Sequence, residues 1–479
     1  MRIRSFALAS LSALALSACA AGPDYVAPVP PSPAATGPFI SAEDGVVTPS
    51  PLPDQWWRLY DDPVLDGLVA DALAANTDLR QAQGRIVRAR AALRGARADR
   101  LPQTGVSAAP TYGRVSALEA PGGADREGFV FDAGLDISYE VDLFGRVGRG
   151  VEAARADIET AQADADAVRV IVVADTTRAY AEAAGTAARI DVANRIVSLL
   201  DDSLRITSRR HDAGLESGLA VAQIETLREQ RAAEIPALQA QRRAALFALA
   251  TLTGRAPADL PPIAGERSIA LMIDQPLPVG DGAALLARRP DIRAAERALA
   301  ADTARIGLAT ADLYPRITLG GSVGSTATSL GDLLTGGAFN FLLGPLIDWA
   351  FPNREPVRAR IDAAQADADI ALAAFDGTVL TALQETETAL SNYARALDRR
   401  ARLEKAAQAA QRAAGITRAR QREGLVNSLE RLDAERTLAE ATASLAAQDA
   451  QLSLAQIDVF RSLGGGWSGA PQSAENHVL

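Results

Sequence analysis

Few side chains in this sequence stand where bond-making chemistry would need them. Among 479 residues there are one cysteine, Cys19, and two histidines, His211 and His477. One cysteine excludes an internal disulfide, and so few histidines leave little for a His/Cys metal site. Glu140 and Asp142 could pass for a pair of catalytic carboxylates, yet Asp142-Leu143-Phe144-Gly145-Arg146 reads better as an elbow between strand and helix. Gly464-Gly465-Gly466 is a helix terminator, lacking the strand and the Lys-Ser/Thr of a phosphate loop. His211 lies beside a glycine turn, where solvent exposure is its ordinary explanation. No nucleophile, base and oxyanion donor come together. The sequence argues against an enzyme and implies neither cofactor nor metal.

The sole cysteine suggests a different chemistry. Arg2 and Arg4 form a basic n-region, Phe6 to Leu16 form a short apolar stretch, and Leu16-Ser17-Ala18-Cys19 closes it. This is a secretory layout, too short for a spanning helix of about 20 apolar residues. Leu16-Ser17-Ala18-Cys19 resembles the lipobox of bacterial lipoproteins, whose cysteine is acylated and becomes the first residue of the mature chain. Residues 1–18 are then a lipoprotein signal peptide and Cys19 is the lipid attachment site. Ordinary signal cleavage with an incidental thiol is the alternative. Ala20 follows the cysteine, where an Asp commonly retains lipoproteins at the inner membrane, and this favours the outer membrane. Eight prolines lie between Pro28 and Pro53, so residues 19–54 read as an acylated start and a semi-rigid spacer.

The elements that would position any functional residue are mostly helical. Hydrophobic residues make up 48% of the chain but aromatics only 5%, and much of the difference is alanine, which favours closely packed helices. The net charge of −10 argues against a general nucleic-acid binder, which needs clustered Lys and Arg. Landmarks recur at one offset. Asn76-Thr77-Asp78-Leu79-Arg80 runs on to Leu101-Pro102, and Arg289-Pro290-Asp291-Ile292-Arg293 runs on to Tyr314-Pro315, 213 residues later. Ala213-Gly214-Leu215 matches Glu423-Gly424-Leu425 at 210, and Leu252-Thr253-Gly254 matches Leu463-Gly464-Gly465 at 211. Such an order implies a two-fold duplication of a large unit.

Each repeat reads the same way. The first covers 55–270 and the second 271–467, with a polar tail at 468–479. A helix (about 64–100, then 282–313) ends at a proline and two extended segments follow. Next come a very long helix (147–213, then 357–423), a glycine turn, and a second long helix (218–253, then 428–462). A continuous 147–213 helix would be about 100 Å long. Leu383, Leu390 and Leu397 are seven apart, as are Leu438, Leu445, Leu452 and Val459, which implies coiled-coil packing. A generic coiled-coil rod would share that spacing.

The extended segments argue against a simple rod. Phe129, Phe131, Ala133, Leu135, Ile137 and Tyr139 alternate with Val130, Asp132, Gly134, Asp136 and Ser138. Ile317, Leu319 and Val323 alternate similarly within 316–324, and 103–113 and 339–347 are weaker strands. Alternating segments of about 9–11 residues suit tilted strands crossing an outer membrane. A half-buried soluble sheet shows the same alternation. Four strands cannot close a barrel, so a membrane sheet would require oligomerisation.

The order of these features resembles the TolC-like outer-membrane efflux family, in its NodT-type lipoprotein branch. The resemblance runs from Cys19 to about Trp467. It rests on Gly22-Pro23-Asp24-Tyr25, Trp56-Trp57 with Asp62-Pro63-Val64-Leu65, Tyr139-Glu140-Val141-Asp142-Leu143-Phe144-Gly145-Arg146, and the landmarks above. It implies a mainly α fold with a membrane β-barrel: a homotrimer sharing one twelve-stranded barrel, a long α-helical periplasmic tunnel and a mixed α/β equatorial belt. It also implies a passive exit duct for drugs or other small molecules. The partners would be a periplasmic adaptor and an inner-membrane transporter, of RND type in this branch.

In that layout Gly214, Leu215, Gly424 and Leu425 form the periplasmic tips where the adaptor docks. Leu429-Glu430-Arg431-Leu432-Asp433-Ala434 resembles the family segment whose acids ring the closed aperture, placing the gate on Glu430 and Asp433. Glu at position 430 and Arg431 beside it depart from the family pattern. The first repeat has Ala220 and Gln223 at the equivalent sites. Six carboxylates around one axis would repel, raise their own pKa values and attract cations. Both acids also fit solvated helix-surface residues. The competing functions are a periplasmic adaptor lipoprotein, which lacks the duplication, and a structural coiled-coil envelope protein, which needs no strands.

Overall fold

The computed structural model describes residues 21–43, 45–116, 118 and 126–467. Cys19, the signal peptide and the tail at 468–479 lie outside them. In chain order the structure comprises β1 (Val47–Thr48), α1 (Pro63–Ala75), α2 (Thr77–Ala98), β2 (Gln103–Arg114) and β3 (Glu127–Val141). Then come α3 (Arg146–Asp212), α4 (Gly218–Ala232), α5 (Glu234–Leu252), β4 (Leu277–Pro278) and α6 (Gly282–Arg288). The chain continues with α7 (Pro290–Ala311), β5 (Arg316–Ala327), β6 (Phe339–Asp348), α8 (Glu355–Arg422) and α9 (Ser428–Ser462). None of the described helices is long and apolar enough to cross a membrane.

Three stretches that read as single helices are interrupted. The helix expected over 64–100 breaks at Asn76, whose side chain accepts from the Asp78 and Leu79 N–H groups and caps α2. Its counterpart over 282–313 breaks at Arg289, because Pro290 lacks an N–H and opens α7. The expected 218–253 helix is two helices, α4 and α5, meeting at Ala233. Pro236 removes the hydrogen bond to residue 232 and crowds its carbonyl.

The chain divides into two compact units. One gathers residues 21–29, Gly84–Gln162 and Ala294–Asp376, and the other Pro30–Gln83, Ala163–Arg293 and 377–467. The first unit holds an antiparallel sheet in the order β2-β3-β5-β6. Its register aligns Val106, Leu135, Val323 and Phe341 across all four strands. All four are exposed, so the apolar face has no protein layer over it. The opposite face carries Asp132, Thr326 and Asn340 in one hydrogen-bonded row, with Thr326 Oγ1 donating to Asp132 at 2.7 Å. Rings gather at both ends of the strands: Tyr112 on Phe129 at 4.9 Å at one, Trp349 on Phe351 at 4.8 Å at the other. A half-buried soluble sheet would cover its apolar side. Here both sides are bare, and β2 and β6 each leave one edge unpaired.

The helices of this unit follow the strand order. Leu93 of α2 packs on Val151 and Ala154 of α3. Ala156 of α3 packs on Ala300 and Ala301 of α7, flanked by the Arg297–Glu159 and Arg305–Asp157 ion pairs. Arg360 of α8 reaches Asp312 just after α7 at 3.1 Å. The N-terminal segment is clamped onto the same unit. Arg149 donates to Asp24 at 2.7 Å and Tyr25 donates to Glu296 at 2.8 Å. A Cβ on Gly22 would stand 2.4 Å from the Gly307 Cα.

The second unit contains the main apolar core, with Trp56 fully buried and stacked on Phe460 at 4.7 Å. Asp62 caps α1 through the Val64 and Leu65 N–H groups and accepts from Tyr180 and Arg267. The proline-rich segment is part of this unit rather than a free spacer. Ala35 and Phe39 are buried, β1 pairs in parallel with β4, and the Ile40 and Ser41 N–H groups donate to Glu387. Prolines stiffen the backbone whether or not something packs against it, so composition alone did not distinguish a spacer from a packed strap.

Candidate functional site: the helix turns and the acidic segment

The two glycine turns of the second unit are built alike. At the first, the Gly214 N–H donates to the His211 carbonyl and the Leu215 N–H to Arg210, at 2.8 Å each. At the second, Gly424 donates to Gln421 and Leu425 to Arg420, at 2.9 Å each. These paired bonds satisfy the last carbonyls of α3 and α8 in a Schellman cap, which requires the left-handed backbone seen at Gly214 (φ 73°) and Gly424 (φ 75°). The next helix then starts on a polar cap three residues on. Ser217 Oγ accepts from Ala220 N, and Asn427 Oδ1 accepts from Glu430 N. Leu215, Leu219, Leu425 and Leu429 are all exposed. Each turn therefore presents two bare leucines on a rigidly capped corner.

Glu430 and Asp433 lie three residues apart in the first turn and a half of α9, both exposed. A helix places such positions on one face, so the two predicted gate residues are brought together. Ala220 and Gln223 hold the matching places in α4, and His211 Nδ1 lies 2.9 Å from the Glu216 carbonyl, within the turn.

The residue between the acids turns the other way. Arg431 donates to Gln421 Oε1 and Ser203 Oγ at 2.8 Å each, and its Nε lies 3.8 Å from Glu435. Glu435 is buried and accepts a two-pronged bond from Arg418 at 2.6 and 2.7 Å. The hydrogen bond to Glu435 raises the Arg418 pKa above its ordinary value. Burial, with Arg418 as a like-charged neighbour, pulls that of Arg431 down. A cavity of about 290 Å³ lies behind this network, lined by Ile196, Leu200, Arg418, Glu435 and Leu438 among others. Three helices, α3, α8 and α9, are thus fastened by polar bonds beside the small apolar cluster of Ile196, Leu200, Leu227 and Ala439. Sequence reasoning missed the network. The signal was there in Arg431 and Glu435 at helical i, i+4 spacing, but the partner residues lie 10 to 228 positions away.

At the other unit, Asp142 accepts from the Val147 and Gly148 N–H groups and caps α3, and Glu140 forms a two-pronged pair with Arg146. These two acids build the elbow between β3 and α3.

The model of the family described as outer membrane efflux protein matches residues 68–255 and again residues 283–465. The chain is an outer membrane efflux protein. Among its relatives, outer membrane protein OprJ of Pseudomonas aeruginosa is 32% identical over 475 residues, covering 98% of this chain and 97% of that one. Nodulation protein T of Rhizobium leguminosarum bv. viciae is 29% identical over 480 residues, covering 98% and 96%, in keeping with the NodT-type branch. The solved outer-membrane channel OprN superposes with a TM-score of 0.87 at 36% identity, covering 94% of this chain and 100% of that one. This efflux protein is therefore an outer-membrane channel with a barrel and helical-tunnel fold, serving a tripartite pump. The family is a transport family, and neither the adaptor nor the envelope-rod reading is favoured.

Proposed function

We propose that this efflux protein is a passive homotrimeric exit duct, anchored through an acylated Cys19 and gated by Glu430 and Asp433. The four-stranded sheet with two bare faces and two unpaired edges carries the oligomeric reading. Lipid tolerates no unpaired strand edge, and three copies supply the twelve strands of a closed barrel. No group along the duct would need to do more than exclude or admit, so no catalysis is assigned to it.

The exposed leucines at Gly214-Leu215 and Gly424-Leu425 would receive a periplasmic adaptor, with an inner-membrane transporter of RND type behind it. Apolar anchors on a rigid corner are a common docking surface. Adaptor binding would let α8 and α9 relax outward and separate the three Glu430/Asp433 pairs. Small molecules would then pass down a wet tube. Disulfide capture tests the docking step. Leu425→Cys should form a disulfide, under an added thiol oxidant, with a cysteine placed in the hairpin of a cognate adaptor in whole cells, and the same cysteine placed on the exposed helix surface at Arg402 should not. Equal capture at both positions would contradict tip docking.

A further inference from the structure

We infer that the Trp349–Phe351–Arg354 cluster, where β6 leaves the sheet for α8, seats the phosphodiester of an inner-leaflet glycerophospholipid. This adds a lipid ligand to the channel and depends neither on acylation of Cys19 nor on the gate.

The strand pattern sets the depth. Alternation carries one face of β6 through Phe341, Leu343 and Ile347 to Trp349, just past the strand, and all four are exposed. Trp349 and Phe351 stack at 4.8 Å, and the Trp349 indole N–H donates to the Leu313 carbonyl at 3.1 Å. Amphipathic rings at the end of a lipid-facing band sit at the level of the head groups. The long helices α3 and α8 join the sheet at this end, so it is the periplasmic one and the adjoining leaflet is the inner one. The Ala21 N–H donates to the Phe144 carbonyl at the same end, at 3.0 Å, so a lipid on Cys19 would enter that leaflet too.

Arg354 supplies the unused charge. Its guanidinium carbon lies 5.5 Å from the Trp349 ring centre and 5.7 Å from that of Phe351, within cation–π reach. Arg146, Arg316 and Arg360 around the same elbow each have a carboxylate partner. Arg358, one turn on, draws the exposed Glu355 carboxylate to 3.9 Å. Arg354 meets no carboxylate among the described residues, and its Nε is shut off from solvent there without an acceptor. Two rings therefore hold a flat, fully charged fork at the edge of the lipid band, with nothing in the chain to neutralise it. A phosphodiester carries its anionic oxygens at this depth, and arginines near the ends of membrane segments extend toward them. The guanidinium fork suits a phosphate with two parallel bonds.

Native mass spectrometry of the full-length protein in detergent, titrated with dioleoylphosphatidylglycerol, tests the seat. Wild type should take this lipid about tenfold more tightly than Arg354→Gln. Arg354→Lys should fall between them, because an ammonium keeps the charge without the flat stacking fork. Arg100→Gln removes an exposed arginine at the same end of the sheet and should bind as wild type does. Dioleoylglycerol, which has the tails without the phosphate, should not distinguish wild type from Arg354→Gln. Excess inorganic phosphate should leave the bound phospholipid in place. Equal phospholipid binding by wild type and Arg354→Gln, or an equal loss in Arg100→Gln, would overturn the seat in favour of a diffuse charged belt. Displacement by inorganic phosphate would make it a site for the free anion and overturn the lipid assignment. Should Arg354→Gln fail to assemble, wild type alone decides: dioleoylglycerol held as tightly as the phospholipid would overturn the proposal.

Discussion

At the scale of single residues, Glu430 and Asp433 face outward on α9 while Arg431 between them is held inward by Gln421 and Ser203. In a trimer six carboxylates would converge, and Glu430→Ala with Asp433→Ala should raise single-channel conductance and weaken cation preference. Unchanged single-channel behaviour would remove them from the gate. Glu435→Ala acts from behind. It leaves Arg418 and Arg431 facing each other across a cavity, at a cost between the ~1 kcal/mol of an exposed pair and the ~3–5 of a buried one. The capped ends of α8 and α9 should then exchange amide hydrogen faster and the channel should open more often. Slower or unaltered exchange would deny the network any fastening role. Tyr25 links pH to the N-terminal clamp. Burial and the Glu296 carboxylate push its phenol up to about 12 from 10.0. The folded value exceeds the unfolded one, so its stabilisation is whole below pH 10 and fades as pH rises toward 12. The melting-temperature difference between wild type and Tyr25→Phe should shrink over that range, and a constant difference would contradict it.

At the scale of elements, two kinds of glycine separate cleanly. Nothing lies within 4 Å of a Cβ added to Gly424, so Gly424→Ala bears only the left-handed backbone penalty, ~1–2 kcal/mol. Gly22→Ala would add a backbone collision with Gly307. Limited proteolysis should accordingly find the N-terminal segment released in Gly22→Ala and intact in Gly424→Ala; equal release would contradict this. The same division shows what was legible. Alternation from Phe129 to Tyr139 marks the middle of a strand running from Glu127 to Val141, since period two is a local property. Long proline-free stretches mark α3 and α8 for the same reason. The break at Asn76 was illegible because a capping residue looks like any polar residue within an amphipathic run, whereas Pro290 does mark the break at Arg289. The docking of Phe39 and the Arg418–Glu435–Arg431 network depend on partners far away in the chain, which no local pattern reports.

At the scale of the whole molecule, three features need one another. A sheet with both faces bare is stable only if lipid covers one side and a lumen the other, and its edges close only between copies. The symmetry that closes those edges would also gather the Glu430/Asp433 segments. Planar-bilayer conductance of the detergent-purified, acylated protein, with oligomeric mass taken on the same sample, tests this most directly. A trimer giving discrete, cation-preferring steps is the predicted result, and if it is silent when closed, Glu430→Ala/Asp433→Ala should make it conduct. A soluble monomer without conductance would contradict the barrel and the gate together.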